Sequence, residues 1–232
     1  MLKYIPSKGD NMKYYLEDDS EFTYNGDLTN RVGKGKEGAI YYLNANECVK
    51  MYYINSMLKI EKEIFDLLKS LNLDNFCKLG NMIYNENGEL SGYTMNYYST
   101  ITKNILFMPK EYFLDNFNAL YNSFKTLSDN RIIANDIWLK NCLIGSNITM
   151  IDFDRYIKSS LSIEEIREIN IARLMELFKK IYLYYVSSVM GKVPAHIWSM
   201  TDDIFSYSNN PVKRLSKVFE SHKKPIDLIT KK

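Results

Sequence analysis

Three polar residues in the second half of the sequence have types and spacing suited to work on a hydroxyl group beside a hard metal ion. Asp136 precedes Asn141 by five positions, and Asp152 follows Asn141 by eleven positions at the end of a short apolar stretch. Carboxylate and amide oxygens are ligands that Mg²⁺ accepts, and a carboxylate can also accept a hydroxyl proton. A lone Asp of this kind is more often a turn residue or a helix cap, so the order and spacing of all three carry the interpretation.

A glycine-rich stretch lies a hundred residues earlier. Gly33, Gly35 and Gly38 are spaced as G-x-G-x-x-G, and glycine lets a backbone approach phosphate oxygens without an intervening Cβ atom. The same pattern also suits an ordinary hairpin turn. A dinucleotide-binding fold needs a helix directly after the glycines, whereas here a strand, a turn and a second strand bearing Lys50 are predicted.

A buried lysine on such a strand needs a carboxylate partner, and the next predicted helix, over 56–71, offers two. At about 100° per residue, Glu61 falls within the apolar stripe of this helix and Glu63 points away from it. Glu63 is the alternative partner. We prefer Glu61, because a charge on an apolar face requires a buried partner, and both glutamates stay open.

The elements that position these residues differ between the two halves of the chain. The first hundred residues are predicted to form about five strands and one helix. The predicted strands are a hairpin over 32–43 and single strands over 48–53, 79–84 and 90–98, with turns at 44–47 and 85–88.

The remaining residues are predicted to be mostly helical. Pro109 suits the first turn of a helix, and one apolar face follows it, formed by Phe113, Phe117, Leu120, Phe124 and Leu127. Short strands are predicted over 131–154. Ser162 and Glu165 have the spacing of a capping box that opens another helix.

The glycine stretch, the strand lysine, the Asp–Asn pair and the Asp-Phe dipeptide occur in an order that resembles the protein-kinase-like superfamily. The resemblance covers roughly residues 30–180. It implies an α+β, two-lobed protein-kinase-like fold in a single domain over 1–232, with a β-rich N-lobe at about 20–98 and a reduced, mainly helical C-lobe at about 104–232. The boundary is predicted near Tyr98–Lys103.

The resemblance also implies a role for each site residue. Asp136 would be the catalytic base, and Asn141 and Asp152 would hold Mg²⁺. Lys50, paired with Glu61, would hold the α- and β-phosphates of ATP beneath the glycine loop. The activity implied is that of a kinase, which transfers the γ-phosphate of ATP to an alcohol group.

Two further assignments are positional. The strand that ends near Tyr98 would lead into the hinge, with Met95 as gatekeeper and the backbone near Asn96 and Tyr98 meeting adenine; it equally suits a plain core strand. Lys140, four residues after Asp136, would neutralise the γ-phosphate, although a solvent-facing lysine fits that position equally.

The sequence departs from the protein-kinase pattern in ways that affect regulation. Ala134 and Asn135 replace the usual His-Arg before the catalytic Asp, and Asp154 replaces the Gly after Asp-Phe. Only 155–161 separates the metal motif from the next helix, which leaves no room for a full activation segment. This truncation resembles minimal kinases that some bacteria use as effectors, and also small-molecule phosphotransferases of the same fold.

We therefore expect a minimal protein kinase that phosphorylates Ser/Thr or Tyr hydroxyls of a protein substrate. The first alternative is a small-molecule kinase that acts on a sugar, aminoglycoside or choline-like hydroxyl. The second is a pseudokinase that binds nucleotide as a scaffold. Retention of Lys50, Asp136, Asn141 and Asp152 together argues against the scaffold.

Composition bounds the partners and the compartment. The net charge of +2 predicts no nucleic-acid partner, and no apolar stretch approaches the ~20 residues of a membrane span. Three cysteines without a CxxC pair predict reduced thiols. The first residues lack the apolar core of a signal peptide, so we expect a cytoplasmic protein, or one exported without a classical signal peptide.

Overall fold

The computed structural model describes residues 13–98, 109–191, 193 and 195–205. Over these residues the protein is α+β, with one large antiparallel sheet and four α-helices. The chain divides into two compact units. The first comprises 1–70 and 77–99, and the second comprises 71–76 and 100–232.

The first unit is built on a seven-stranded antiparallel sheet. Its strands are β1 (Tyr14–Leu16), β2 (Glu21–Phe22), β3 (Arg31–Lys34), β4 (Gly38–Asn44), β5 (Glu47–Tyr52), β6 (Leu79–Asn85) and β7 (Leu90–Asn96). They are ordered β2-β1-β6-β7-β5-β4-β3 across the sheet. Among the described residues of this unit, helix α1 (Lys62–Ser70) is the single α-helix.

The two faces of the sheet have different roles, because side chains alternate along each strand. One face carries an apolar cluster of buried side chains: Tyr14, Ala39, Tyr41, Val49, Met51 and Ile83. On the opposite face, Phe65 of α1 packs edge-on against Tyr93 of β7, with ring centroids 5.8 Å apart. Lys50 of β5 pairs across the strands with Tyr93 and therefore belongs to the helix-covered face.

The five predicted strands and the turn at 85–88 are confirmed, and Gly88 has the positive φ of 77° that this turn requires. Strands β1 and β2 were not predicted. They are only three and two residues long, too short for an alternating pattern to be recognised. The predicted helix over 56–71 is shorter than expected and begins only at Lys62.

The second unit contains the other three helices: α2 (Lys110–Asp129), α3 (Ile163–Met190) and α4 (Ala195–Phe205). The predicted apolar face of α2 is confirmed, because its five side chains are all fully buried. Phe117 meets Phe178 of α3 edge-on at 4.8 Å. Contacts between aromatic rings thus join α2 to α3.

The predicted start of α3 is confirmed by a complete capping box. The backbone N–H of Glu165 donates to the Ser162 hydroxyl at 3.2 Å, and the Glu165 carboxylate accepts from the Ser162 backbone N–H at 2.9 Å. The hydrogen bonds from Ser162 lower the pKa of the Glu165 carboxyl. The helix ends at Gly191, whose φ is 70°.

Two pairs of short strands lie in the connections between the helices of the second unit. Strands β9 (Cys142–Ile144) and β10 (Ile148–Met150) form a hairpin, and β8 (Ile132–Ile133) pairs with β11 (Ile157–Lys158). Residues 71–76 belong to this unit, and Phe76 bridges to Met150 and stacks on Phe153 at 5.7 Å.

Burial restricts the chemistry of the cysteines. The three cysteines, Cys48, Cys77 and Cys142, are free and buried, and burial raises the pKa of each thiol to about 12. A thiol with so high a pKa is a poor nucleophile near neutral pH.

Within the described part of the chain, no helix combines the length and apolarity needed to cross a membrane.

Candidate active site

The loop after β8 holds Asp136 in an unusual conformation. Its φ is 58°, in the left-handed region that Asp and Asn tolerate better than most residues. The side-chain amide of Asn141 donates to the Asp136 backbone oxygen at 2.9 Å and to the Asp136 carboxylate at 3.1 Å. Asn141 ends a 3-10 turn over Leu139–Asn141 and is buried. One buried amide therefore fixes both the backbone and the carboxylate of Asp136.

The same amide keeps an acceptor outside these two hydrogen bonds. Because its nitrogen donates to Asp136, the Oδ1 atom of Asn141 is left as an acceptor, and the described hydrogen bonds do not use it. The backbone oxygen of Asn141 accepts from the Ile151 N–H at 3.0 Å, so the residue next to Asp152 is tied to this turn. Asp152 also has a left-handed φ, of 66°. The structure thus joins Asp136 to Asn141 directly and joins Asn141 to Ile151, the residue before Asp152.

Two cations lie beside the Asp136 carboxylate. Lys140 Nζ is 3.5 Å and Arg155 Nε is 3.8 Å from Asp136 Oδ2. Their side chains are 70% and 44% exposed, so both remain accessible to an anionic group. Lys140 was predicted, whereas Arg155 was not. Its place three residues after Asp152 offered no spacing rule by which to find it.

Helix α3 clamps the backbone just before Asp136. Ala134 is fully buried, its N–H donates to Asn170 Oδ1 at 2.9 Å, and its carbonyl accepts from Arg173 Nη1 at 2.8 Å. Asn170 also donates to Ile132 O at 2.8 Å. Both polar backbone groups of Ala134 are therefore satisfied by side chains one turn apart on α3, a contact that the sequence did not reveal.

The loop of Asp152 packs on buried aromatic rings. Phe153 and Tyr156 are both buried and meet edge-on at 5.3 Å. Burial, and then the negative charges of Asp152 and Asp136, raise the pKa of the Tyr156 hydroxyl, while Arg173 opposes that shift. The hydroxyl is therefore within electrostatic range of both carboxylates and of the guanidinium.

The glycine stretch forms the hairpin between β3 and β4 in the first unit. The Gly35 N–H donates to the Gly38 carbonyl at 2.9 Å. A Cβ atom on Gly38 would overlap the Met51 carbonyl oxygen of β5, whereas a Cβ atom on Gly33 or Gly35 would meet only ordinary contacts of 3.5 Å or more. Within this stretch, packing therefore requires glycine at position 38 only. The contacts around positions 33 and 35 would allow a side chain there.

Lys50 lies where the strand pattern predicts, and it is only 6% exposed. Its ammonium nitrogen lies 5.6 Å from the Tyr52 ring centroid and 5.8 Å from that of Tyr93. The position expected for Glu61 is wrong. This residue precedes α1, is exposed, and does not join the apolar face of the helix. Glu63 lies in the first turn of α1 and is also exposed, so the identity of the Lys50 partner stays a prediction.

The predicted hinge strand is β7. Met95 is buried, as a gatekeeper would be. The Asn96 N–H donates to Lys78 O at 3.0 Å, and its carbonyl accepts from the Cys77 thiol at 3.4 Å. These backbone groups already bond to the segment just before β6, and adenine recognition near Asn96 and Tyr98 stays a prediction. The predicted boundary beyond Tyr98 lies outside the described residues.

The donor set at Asp152 and Asn141 fits one kind of metal site. Among the described residues, no three His, Cys, Asp or Glu side chains cluster as a closed metal centre. One carboxylate and one amide oxygen instead suit Mg²⁺, which keeps several waters and binds substrate phosphates.

No protein-family model matches this chain, and no curated protein matches it. The geometry of the two groups of residues therefore carries the functional interpretation: the glycine hairpin with Lys50 in the first unit, and Asp136 with Asn141, Asp152 and two cations in the second.

Proposed function

We propose that the protein is a phosphotransferase that moves the γ-phosphate of ATP to a hydroxyl group, with a two-lobed protein-kinase-like architecture. The observation that carries the proposal is the Asn141 amide. It holds the backbone and carboxylate of Asp136 through its nitrogen, while the backbone oxygen of Asn141 accepts from the N–H of Ile151, the residue before Asp152. A fixed base next to a pair of oxygen donors is the arrangement that metal-assisted phosphoryl transfer needs.

Each group has a defined part in the reaction. Asp136 orients the acceptor hydroxyl and takes its proton as the hydroxyl oxygen bonds to the γ-phosphorus. The bond from that phosphorus to the bridging oxygen breaks, and ADP leaves with the electron pair. In this proposal Lys140 and Arg155, which both pair with Asp136, neutralise the transferred group. When bound to Asn141 and Asp152, Mg²⁺ supplies charge neutralisation at the phosphates.

The first unit contributes the nucleotide contacts in this proposal. Gly33 and Gly35 leave room above the hairpin for phosphate oxygens. Lys50, held among two aromatic rings, supplies the cation for the α- and β-phosphates. Met95 and Tyr98 border the adenine.

A protein hydroxyl is the preferred acceptor, and the enzyme is constitutively competent. The 155–161 segment is short and is tied by the β11–β8 pair, so phosphorylation has no loop to order there.

A specific observation favours a small-molecule acceptor as the second candidate. Trp138, two residues after Asp136, is 48% exposed, and Lys180 Nζ lies 3.7 Å from its ring centroid. A flat, exposed ring next to a catalytic base can stack on a small cyclic alcohol.

The deciding experiment is transfer of radiolabelled γ-phosphate from ATP with Mg²⁺, using purified protein alone and then with cell lysate. Asp136→Asn is the matched control. Labelled protein bands that the control lacks support a protein kinase. Label in small molecules supports the second candidate, and no transfer above the control refutes phosphotransferase activity.

A further inference from the structure

Two side chains in the second unit are associated with the loops of Asp136 and Asp152. Arg173, on α3, is half-buried and donates to the carbonyl of Ala134, two residues before Asp136. Tyr156 lies four residues after Asp152 and is 2% exposed. Arg173 therefore contacts the Asp136 loop, and Tyr156 belongs to the Asp152 loop.

The hydroxyl of Tyr156 has unused hydrogen-bonding capacity. Within the described residues it is buried and has no hydrogen-bond partner, which is unfavourable for a group of this kind. Its charged neighbours are Asp152, Arg173 and Asp136. A phenol hydroxyl can accept a hydrogen bond from a guanidinium and at the same time donate one to a carboxylate.

The guanidinium of Arg173 has complementary capacity. It has five N–H donors, and the described contacts use one of them, on Ala134. Burial lowers the pKa of Arg173, and the neighbouring Tyr156 opposes that shift. Asn170, the other α3 residue on Ala134, is by contrast fully used, since it also bonds to Ser128 and Ile132.

We propose that Arg173 and Tyr156 are positioning residues that couple the two loops, so that the affinity of the site for Mg²⁺ depends on both side chains. In the loaded site Tyr156 accepts from Arg173 and donates to the Asp152 carboxylate, which fixes the direction of its metal-binding oxygen. Arg173 at the same time holds the backbone that leads to Asp136. This inference rests on the proposed function, because the bonds of Tyr156 form in the loaded site.

Asn135 takes the place of the arginine that usually precedes the catalytic Asp in the protein-kinase pattern, and Arg173 can compensate for that missing guanidinium. The loop itself carries no arginine next to Asp136, and α3 brings a guanidinium to the adjacent carbonyl instead. A guanidinium anchored on a 28-residue helix needs no added phosphate to hold it in place, which suits a constitutive enzyme.

Substitutions that keep shape test the pair directly. Tyr156→Phe retains the ring contact with Phe153, and Arg173→Met retains the length of the side chain. Tyr24→Phe is the matched control, because its hydroxyl is also buried without a partner among the described residues but lies in the first unit. Arg167→Met, on the same helix as Arg173, controls for loss of a guanidinium paired elsewhere, with Asp129.

The first measurement is the Mg²⁺ dependence of binding of a non-hydrolysable ATP analogue, by calorimetry. Removal of groups that orient metal ligands weakens metal binding by about tenfold or more, and we expect this for Tyr156→Phe and for Arg173→Met. The double variant should lose at least about threefold less than the product of the two single losses, since coupled residues are not additive. Both controls should match the wild type.

The second measurement is made at saturating ATP analogue and Mg²⁺, because the proposed bonds of Tyr156 form in the loaded site. In hydrogen–deuterium exchange, Tyr156→Phe should raise exchange in the 132–141 peptide, although that peptide lies on the other loop, and Tyr24→Phe should not. If Arg173→Met fails to fold, Arg173→Lys takes its place and should show a partial loss.

The possible outcomes separate the two proposals. Absence of Mg²⁺-dependent nucleotide binding by the wild type would refute the proposed function, and this inference would fall with it. Normal binding by the wild type with unchanged exchange in loaded Tyr156→Phe would overturn the coupling alone and leave the proposed function standing. Coupled exchange with unchanged Mg²⁺ affinity overturns the positioning role at the metal.

Discussion

Replacing Asp136 with Asn separates chemistry from nucleotide binding. Asn has the same shape and tolerates the left-handed φ of 58° that this position requires. The Asn141 amide still finds the backbone oxygen of residue 136 at 2.9 Å and a side-chain oxygen in place of the carboxylate. What disappears is the negative charge and the ability to take a proton.

The structure sets the size of each effect. The lost ion pairs, with Lys140 at 3.5 Å and Arg155 at 3.8 Å, are partly exposed, so each is worth at most about 1 kcal/mol of stability. General-base assistance is worth about 10²–10⁴ in rate, or about 3–5 kcal/mol of transition-state stabilisation. We therefore expect transfer at least about a hundredfold slower, with the thermal midpoint nearly unchanged and the affinity for ATP·Mg²⁺ close to that of the wild type.

The assay compares calorimetric ATP affinity, thermal denaturation and the rate of γ-phosphate transfer for the same preparations. Asp129→Asn is the control, because it makes the same chemical change at an exposed ion pair with Arg167 and should leave transfer intact. Asp136→Ala should be less stable than Asp136→Asn by about 1 kcal/mol, since Ala resists the left-handed region. Parallel losses of affinity and rate in Asp136→Asn would show that Asp136 organises the site without serving as base. If neither the affinity nor the rate falls, the catalytic loop must lie elsewhere in the chain.

Substitutions in the nucleotide and metal groups give distinct patterns of loss. Lys50→Met, which keeps the length of a buried side chain, should slow transfer by about 10²-fold or more, and a folded variant with normal transfer would contradict the role of Lys50. Gly38→Ala should cost about 1–3 kcal/mol in denaturant unfolding, because its Cβ would overlap the Met51 carbonyl; Gly35→Ala should change stability by no more than about 0.5 kcal/mol and weaken ATP binding instead. Asp152→Ala should remove the Mg²⁺-dependent part of thermal stabilisation by ATP, and equal stabilisation of the wild type with and without Mg²⁺ would refute the metal assignment. Phosphatase treatment should leave transfer unchanged, and a clear loss would show that a phosphate-dependent element exists.

Local sequence patterns identified the elements that short-range physics determines. The capping box of Ser162 and Glu165 forms because both partners lie within one helical turn. The apolar face of α2 follows from its period, and the turn at 85–88 follows from a glycine at a positive φ. The spacing of Asp136, Asn141 and Asp152 likewise predicted a cluster, since only a 3-10 turn and the β9–β10 hairpin separate them.

Helix boundaries were less well determined by sequence. The apolar period of 56–71 extends past the true start of α1 at Lys62. The chain before Lys62 is instead held by tertiary contacts, such as the bond from the Ile60 N–H to the Tyr52 hydroxyl at 3.0 Å. Because Glu61 lies outside the helix, a helical-wheel argument could not place its side chain.

The sequence by itself determined which residue types occur at which spacing, and therefore the cluster of Asp136, Asn141 and Asp152. The tertiary structure decided what surrounds them. Arg173 reaches Ala134 across 39 positions, and Tyr156 is buried among charges from two loops and a helix. Such contacts depend on how separate elements pack, and no periodicity within a single element encodes them.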